Sequence, residues 1–220
     1  MARVTDLASL FPPFGLHVRA GSLELRPLTD DLLVGLGALA ERGIHEPDEM
    51  PFYFPWSTAP RGELARNTAQ YHWRVRSSFG PEAWDLQLGV LVDGELVGCQ
   101  GLTTHDFLVT RTGETGSWLG QEFQGRGIGT RMRRAICALA FDHLGFAEVT
   151  SGAFLDNPAS LAVSRKVGYR ADGVRRLKRR EGELALNQQL VLTPDTFVRD
   201  DQPVEVTGAE ALRAFIGLDG

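Results

Sequence analysis

Gln124-Gly125-Arg126-Gly127-Ile128-Gly129-Thr130 is the stretch on which the fold turns. It follows Trp118-Leu119 at the end of a strand-like segment and leads into Met132, Ala135, Ile136, Leu139 and Ala140, spaced at three and four residues. That order reads as a strand, a glycine-rich turn and a helix. Glycines there let the backbone approach a bulky ligand, and the free amides of a helix start form an anion site for which phosphate is the obvious occupant. Arg126, Arg131, Arg133 and Arg134 crowd the same helix end, where cations conflict with the macrodipole. A bound polyanion would remove that conflict; a glycine turn beside a solvated arginine face is the plainer alternative. Two common phosphate loops are excluded. No Lys follows in P-loop spacing, and a dinucleotide fingerprint begun at Gly125 would need glycine where Thr130 stands.

Downstream, Gly145 is placed to cap the helix, residues 149–154 read as a buried strand, and Asn157-Pro158 opens another helix that Gly168 ends. Leu184, Leu186, Leu190 and Leu192 alternate as in a strand, closed by Thr193-Pro194. Upstream, a strand over about 113–119 precedes the glycine turn, and strands over 86–92 and 95–102 are joined by Asp93-Gly94, a dipeptide suited to a tight hairpin. A helix is expected over 61–76, a second from the Thr29 cap to Gly43, and a first strand over 23–28. Between the two helices, residues 44–57 hold three prolines and four aromatics and read as an ordered loop. The tail through Leu212, Phe215 and Ile216 is amphipathic and fits a docked helix. The pattern indicates an α/β (α+β) domain with a mixed sheet. The expected division is an N-terminal extension over 1–20, a domain over 21–196 and a C-terminal tail over 197–220.

Composition narrows the functions. Lys and Arg number 23 against 28 Asp and Glu, a net charge of −5, so neither nucleic acid nor an acidic membrane surface is the expected partner. The longest apolar runs fall far short of the roughly 20 residues that span a bilayer. The N-terminus lacks the unbroken apolar core of a secretory signal, and the expected compartment is the cytoplasm. Cys99 and Cys137 have no CxxC spacing and read as reduced packing residues. The five histidines show no metal-ligand spacing, and no metal is expected.

Gln124, Gly127 and Gly129 resemble the fixed positions of the Q/R-x-x-G-x-G/A motif of the GNAT family of N-acetyltransferases. Glu114-Thr115-Gly116-Ser117-Trp118-Leu119 is similar to the preceding strand in the branch resembling the RimJ/RimL ribosomal-protein acetyltransferases. Asn157-Pro158-Ala159-Ser160, ending at Lys166-Val167-Gly168-Tyr169, resembles that family's later N-x-x-S to G-F/Y helix. The likeness covers about residues 20 to 196. It implies the GNAT-like acyl-CoA N-acyltransferase fold, a mixed twisted sheet flanked by helices, with acetyl-CoA as co-substrate and direct transfer to a primary amine. By the same resemblance, backbone groups of Trp118 and Leu119 pair with the pantetheine arm. The motif Gln124 and the amides of Gly125, Arg126, Gly127, Ile128, Gly129 and Thr130 hold the pyrophosphate, while Asn157 and Ser160 line the opposite wall. The implied acceptor is a protein N-terminal α-amine; small-molecule amines (aminoglycoside, polyamine or amino acid) and a non-catalytic acyl-CoA sensor are the alternatives. A homodimer is compatible with all three.

The acid and base follow the family less closely. Relatives place a Tyr seven residues after the Asn157 position, where it can protonate the departing thiolate, but here Ser164 stands there, a poor proton donor. Its alternative reading is an exposed helical serine. Some relatives use a Glu five residues before that Asn; here the position is Gly152. Glu114 is then the first choice of base, with a strand-face ion pair as the alternative role. Glu46, Asp48 and His45 are the second set of base candidates; in the same 45–56 loop Phe52, Phe54 and Trp56 are expected to pack inward, leaving Glu46, Glu49 and Tyr53 for a cationic acceptor. Arg175-Arg176-Leu177-Lys178-Arg179-Arg180 reads as a solvated basic turn between the last strands, with contact to RNA, ribosome or an acidic substrate as the alternative.

Overall fold

The computed structural model describes residues 5–60 and 62–219. In chain order its elements are α1 (Leu7–Leu10), β1 (His17–Ala20), β2 (Leu23–Pro27), α2 (Asp30–Arg42), α3 (Glu63–Ser77), β3 (Ala83–Val92), β4 (Glu95–His105) and α4 (Phe107–Thr110). Then follow β5 (Thr112–Leu119), α5 (Ile128–Ala138), β6 (Glu148–Phe154), α6 (Pro158–Val167), β7 (Arg170–Arg180), β8 (Glu183–Leu192), β9 (Glu205–Thr207) and α7 (Ala209–Phe215). The strands form one sheet in the order β7-β8-β6-β5-β4-β3-β2-β1-β9. Every described pairing is antiparallel except β5 with β6. This is the mixed, helix-flanked sheet that the sequence leads one to expect.

Local chemistry explains the elements. The β3–β4 hairpin turns at Asp93 and Gly94, both at positive φ, which matches the twist of the flanking strands. Thr29 caps α2 by accepting from the Leu32 amide, and Gly43 ends it. Asn157 caps α6, Pro158 takes its first position, and Gly168 closes it at φ +103. α5 widens into a π-helical turn over Leu139–His143 before Gly145 reverses the chain. The main core lies beneath α5, where Ile136, Leu139 and Leu144 meet Leu25, Leu88 and Leu102 of the sheet. Cys99 and Cys137 are both buried. Among the described residues no helix is long and apolar enough to cross a membrane.

Two segments differ from expectation. Residues 175–180 are not a turn: they form the second half of β7, an edge strand paired with β8 from Arg170↔Val191 to Arg180↔Glu183. β7 is exposed along most of its length, so it carries no apolar alternation, and charged side chains protect such an edge from further pairing. β1 was not anticipated from its short sequence; it exists because β2 and β9 pair with it on either side. The chain after Arg199 therefore returns to the sheet through β9, and α7 docks with Leu212 and Ile216 buried.

Candidate active site

β5 and β6 pair over only three residues, Thr112↔Glu148, Gly113↔Val149 and Glu114↔Thr150. Beyond them β5 continues to Leu119 against β4, and β6 continues to Phe154 against β8. The two strands part like a fork. At its base side chains replace the ladder: Thr115 Oγ1 donates to the Thr150 carbonyl at 3.3 Å, and Ser151 Oγ donates to the Thr115 carbonyl at 3.1 Å. Further out, Arg133 of α5 spans the gap, Nη1 donating to Ser151 Oγ at 3.2 Å and Nη2 to Ser117 Oγ at 3.1 Å.

The glycine turn lies at the open end of the β5 arm. Gly125 and Gly127 both hold positive φ, and a side chain at either would project into open space. Among the described residues, the amides of 125–129 donate to no backbone carbonyl, and no side chain caps α5. Free amides at a helix start favour an anion. Gln124 does not point there. Its Nε2 donates to the Ile44 carbonyl at 2.6 Å and to the Leu119 carbonyl at 3.0 Å, locking the end of β5 to the loop after α2. The arginine crowd is settled within the protein for three of its members. Arg131 donates to the Ala20 carbonyl, Arg134 to the Lys166 carbonyl, and Arg133 occupies the fork, leaving Arg126 exposed beside the Phe123 ring.

α6 supplies the facing wall. Asn157 Oδ1 accepts from the Ser160 amide at 3.0 Å. Ser164 is fully buried rather than an exposed helical serine, and its hydroxyl donates to the Ser160 carbonyl at 3.0 Å. Packing against the neighbouring elements, which helical position alone does not reveal, puts it there, and its proton is directed back into its own helix.

Successive residues of a strand alternate faces, so Glu114, Gly116 and Trp118 lie opposite Ser117 and Arg133. On that face the 44–60 loop packs as a small apolar lobe. Phe52 meets Trp56 at 5.1 Å between ring centres, Trp56 meets Trp118 at 5.7 Å, and His45 bonds Ser57 Oγ at 2.7 Å. Phe54, expected inside, is 76% exposed; Phe52 and Trp56 already fill the available contact with Trp118 and Ile44. Tyr53 stays 37% exposed at the loop's edge, its ring edge-on to Phe154 and its hydroxyl donating to Asn187 Oδ1 at 3.4 Å. A Cβ on Gly152 would stand 2.0 Å from that hydroxyl oxygen, so Gly152 yields the place where relatives carry a Glu to Tyr53.

Glu114 and Tyr53 lie within electrostatic reach of each other. Burial raises the pKa of Glu114, opposed by the positive charges of Arg175 and Arg133, although the residue keeps an exposed surface toward the cleft. Burial and then the Glu114 charge push the Tyr53 hydroxyl above its ordinary value. Glu46 and Glu49 stay on the exposed rim of the loop. Glu46 accepts from the Gln121 side chain, and the Glu49 carbonyl accepts from Arg180. The residues that sequence reasoning did not assign to the site are Arg133, Asn187, Gln189 and Arg175. Only Arg133 carried a signal: it shares an apolar helix face with Ile136, Cys137 and Ala140, where a cation is out of place.

A family model described as an acetyltransferase (GNAT) domain matches residues 22–170. YdaF of Bacillus subtilis (strain 168), named as a ribosomal N-acetyltransferase, is 35% identical over 88 residues, 40% of this chain and 48% of that protein. The chain thus matches about half the length of that relative. RimL, a ribosomal L7/L12 alpha-N-protein acetyltransferase solved in complex with coenzyme A, superposes with a TM-score of 0.64 at 16% identity, over 80% of this chain and 97% of that one. RimJ of Mycobacterium smegmatis, in complex with CoA-disulfide, gives 0.63 at 21% identity over 91% and 92%. At these identities the two structures establish the shared fold.

Proposed function

The chain belongs to the GNAT acetyltransferase family, and on that premise we propose that its fork receives acetyl-CoA and passes the acetyl group to a protein N-terminal α-amine. The observation that carries this reading is the run of amides at residues 125–129, without a partner among the described residues, beside the arm of β5 whose β6-facing edge is open. The pyrophosphate rests on those amides, with Thr130 at the cradle's end and Arg126 free to meet it from solvent. The pantetheine arm runs along Trp118 and Leu119, faced by Asn157 and Ser160. Because Asn157 Oδ1 is held by its helix cap, its Nδ2 is the group that meets the ligand. An amide between the arms of the fork polarises the thioester carbonyl and holds the oxyanion as the amine attacks.

An α-amine titrates near pH 8, so it arrives mostly protonated at neutral pH, and Glu114 takes up the proton directly or through water. Its raised pKa brings it closer to the working pH than an ordinary carboxylate. Ser164 keeps its proton in the helix, so the departing thiolate is protonated from water. Tyr53, Glu46 and Glu49 receive the acceptor, whose cationic end suits the acidic rim. The protein acceptor is favoured because YdaF and RimL carry ribosomal acetyltransferase names. Calorimetry with acetyl-CoA, followed by thiol release against N-terminal peptides, polyamines and aminoglycosides, tests the reading. Binding with release on peptides is the expected result. Release on a small amine alone would move the acceptor class, and no binding would overturn the donor site.

A further inference from the structure

Arg133 is the least expected residue of the fork. It is 5% exposed, its Nε has no partner, and among the described residues no carboxylate pairs with it. Its terminal nitrogens meet only the neutral hydroxyls of Ser117 and Ser151, and the Tyr169 ring lies 5.8 Å from its guanidinium. Glu114, whose charged form Arg133 favours, stands on the other face of β5. Such a charge is costly to bury without a counter-ion, and apolar residues of similar volume would fill the gap more cheaply. A guanidinium also cannot shed its proton to relieve the cost. A lasting charge calls for a lasting counter-charge, and the oxyanion of an acetyl transfer is only transient.

We propose that Arg133 is the binding group for a carboxylate at the far end of the donor's acyl chain, so that the fork accepts short dicarboxylic acyl-CoA thioesters, of the succinyl type, besides acetyl-CoA. This rests on the donor site proposed above. The guanidinium bridges the two arms, Nη1 to Ser151 and Nη2 to Ser117, which leaves its unpartnered Nε and the second hydrogen of each terminal nitrogen for a carboxylate. The transfer balances as for acetyl. The amine nitrogen forms a bond to the thioester carbon, the carbon–sulfur bond breaks, the amine proton goes to Glu114 or water, and the thiolate leaves as CoA. The terminal carboxylate is unchanged and appears on the acylated product.

The test compares two stable thioethers of CoA, one with a carboxypropyl group and one with an uncharged butyl group, by calorimetry on the full chain. The carboxylated ligand is expected to bind about tenfold or more tightly, the gain of a charge-assisted contact. In Arg133→Met that preference is expected to vanish, and in Arg133→Lys to shrink, since a single ammonium cannot reproduce the planar pair. Equal affinities in the wild-type chain overturn the proposal whether or not either variant folds, as does a preference that survives in Arg133→Met. If CoA itself fails to bind the wild-type chain, the donor site falls; if CoA binds and the two thioethers are alike, only the present proposal falls. In that second case, a loss of acetyl turnover in Arg133→Met would assign the charge to the oxyanion.

Discussion

Replacing Gly152 by Ala drives a methyl carbon to within 2.0 Å of the Tyr53 hydroxyl oxygen and 2.8 Å of Asn187 Oδ1. Gly152 lies in ordinary strand conformation, so the backbone itself has no objection; a Cβ in a strand is worth about 0.5–1 kcal/mol over glycine. The cost comes from the collision. To restore ordinary contact the hydroxyl must retreat by more than about 1 Å, which breaks its bond to Asn187 and tilts the ring away from Phe154. Overpacking of this kind costs about 1–3 kcal/mol, leaving a net loss of about 1–2 kcal/mol after the strand gain. Urea denaturation would register a midpoint lower by about 0.5–1 M at unchanged slope. The decisive measurement is the double-mutant cycle with Tyr53→Ala. There only Asn187 must give by a few tenths of an ångström, and the Gly152→Ala cost is expected to fall close to zero. An equal cost in both backgrounds, or none in the wild type, would refute the claim that Tyr53 occupies the space of the missing side chain. Activity adds a second reading: Gly152→Ala should raise KM for the acceptor while donor affinity stays unchanged.

Three further outcomes are expected. Glu114→Gln should lower kcat about 100-fold or more with acetyl-CoA affinity preserved, and the acid limb of the wild-type rate profile, which sits above an ordinary carboxylate's titration because burial raises the Glu114 pKa, should disappear; steady-state rates across pH measure both. Gly127→Ala places a Cβ at φ +79 in open space beside the free amides, so it should cost about 1 kcal/mol of stability and about tenfold in acetyl-CoA affinity, read by thermal melting and calorimetry. His72 of α3 is buried with Nδ1 unpartnered, and burial pulls its pKa from 6.5 to about 4. The unfolded chain takes up a proton below about pH 6.5 that the folded chain refuses until about pH 4, so stability falls by about 3 kcal/mol as pH drops through that window. His72→Leu should flatten this part of the urea midpoint against pH.

The sequence by itself determined the parts whose causes are local. The Asp93-Gly94 turn, the Thr29 and Asn157 caps and the glycine entry to α5 each depend on residues a few positions apart, and their spacing sufficed to place the strand, glycine turn and helix that run from β5 into α5. The edge strand β7 and the short strand β1 escaped that reading because their pairing partners, not their own patterns, hold them in the sheet. Tertiary structure alone decided the rest of the site. It left Phe54 in solvent, bonded the Tyr53 hydroxyl to Asn187, sank Ser164 and tied Gln124 to the Ile44 carbonyl. It also brought Arg133 between two serines that lie 16 and 18 residues away from it along the chain. In each case the side chain's role is set by contacts from distant segments, whose free energies depend on burial and geometry that no local pattern encodes.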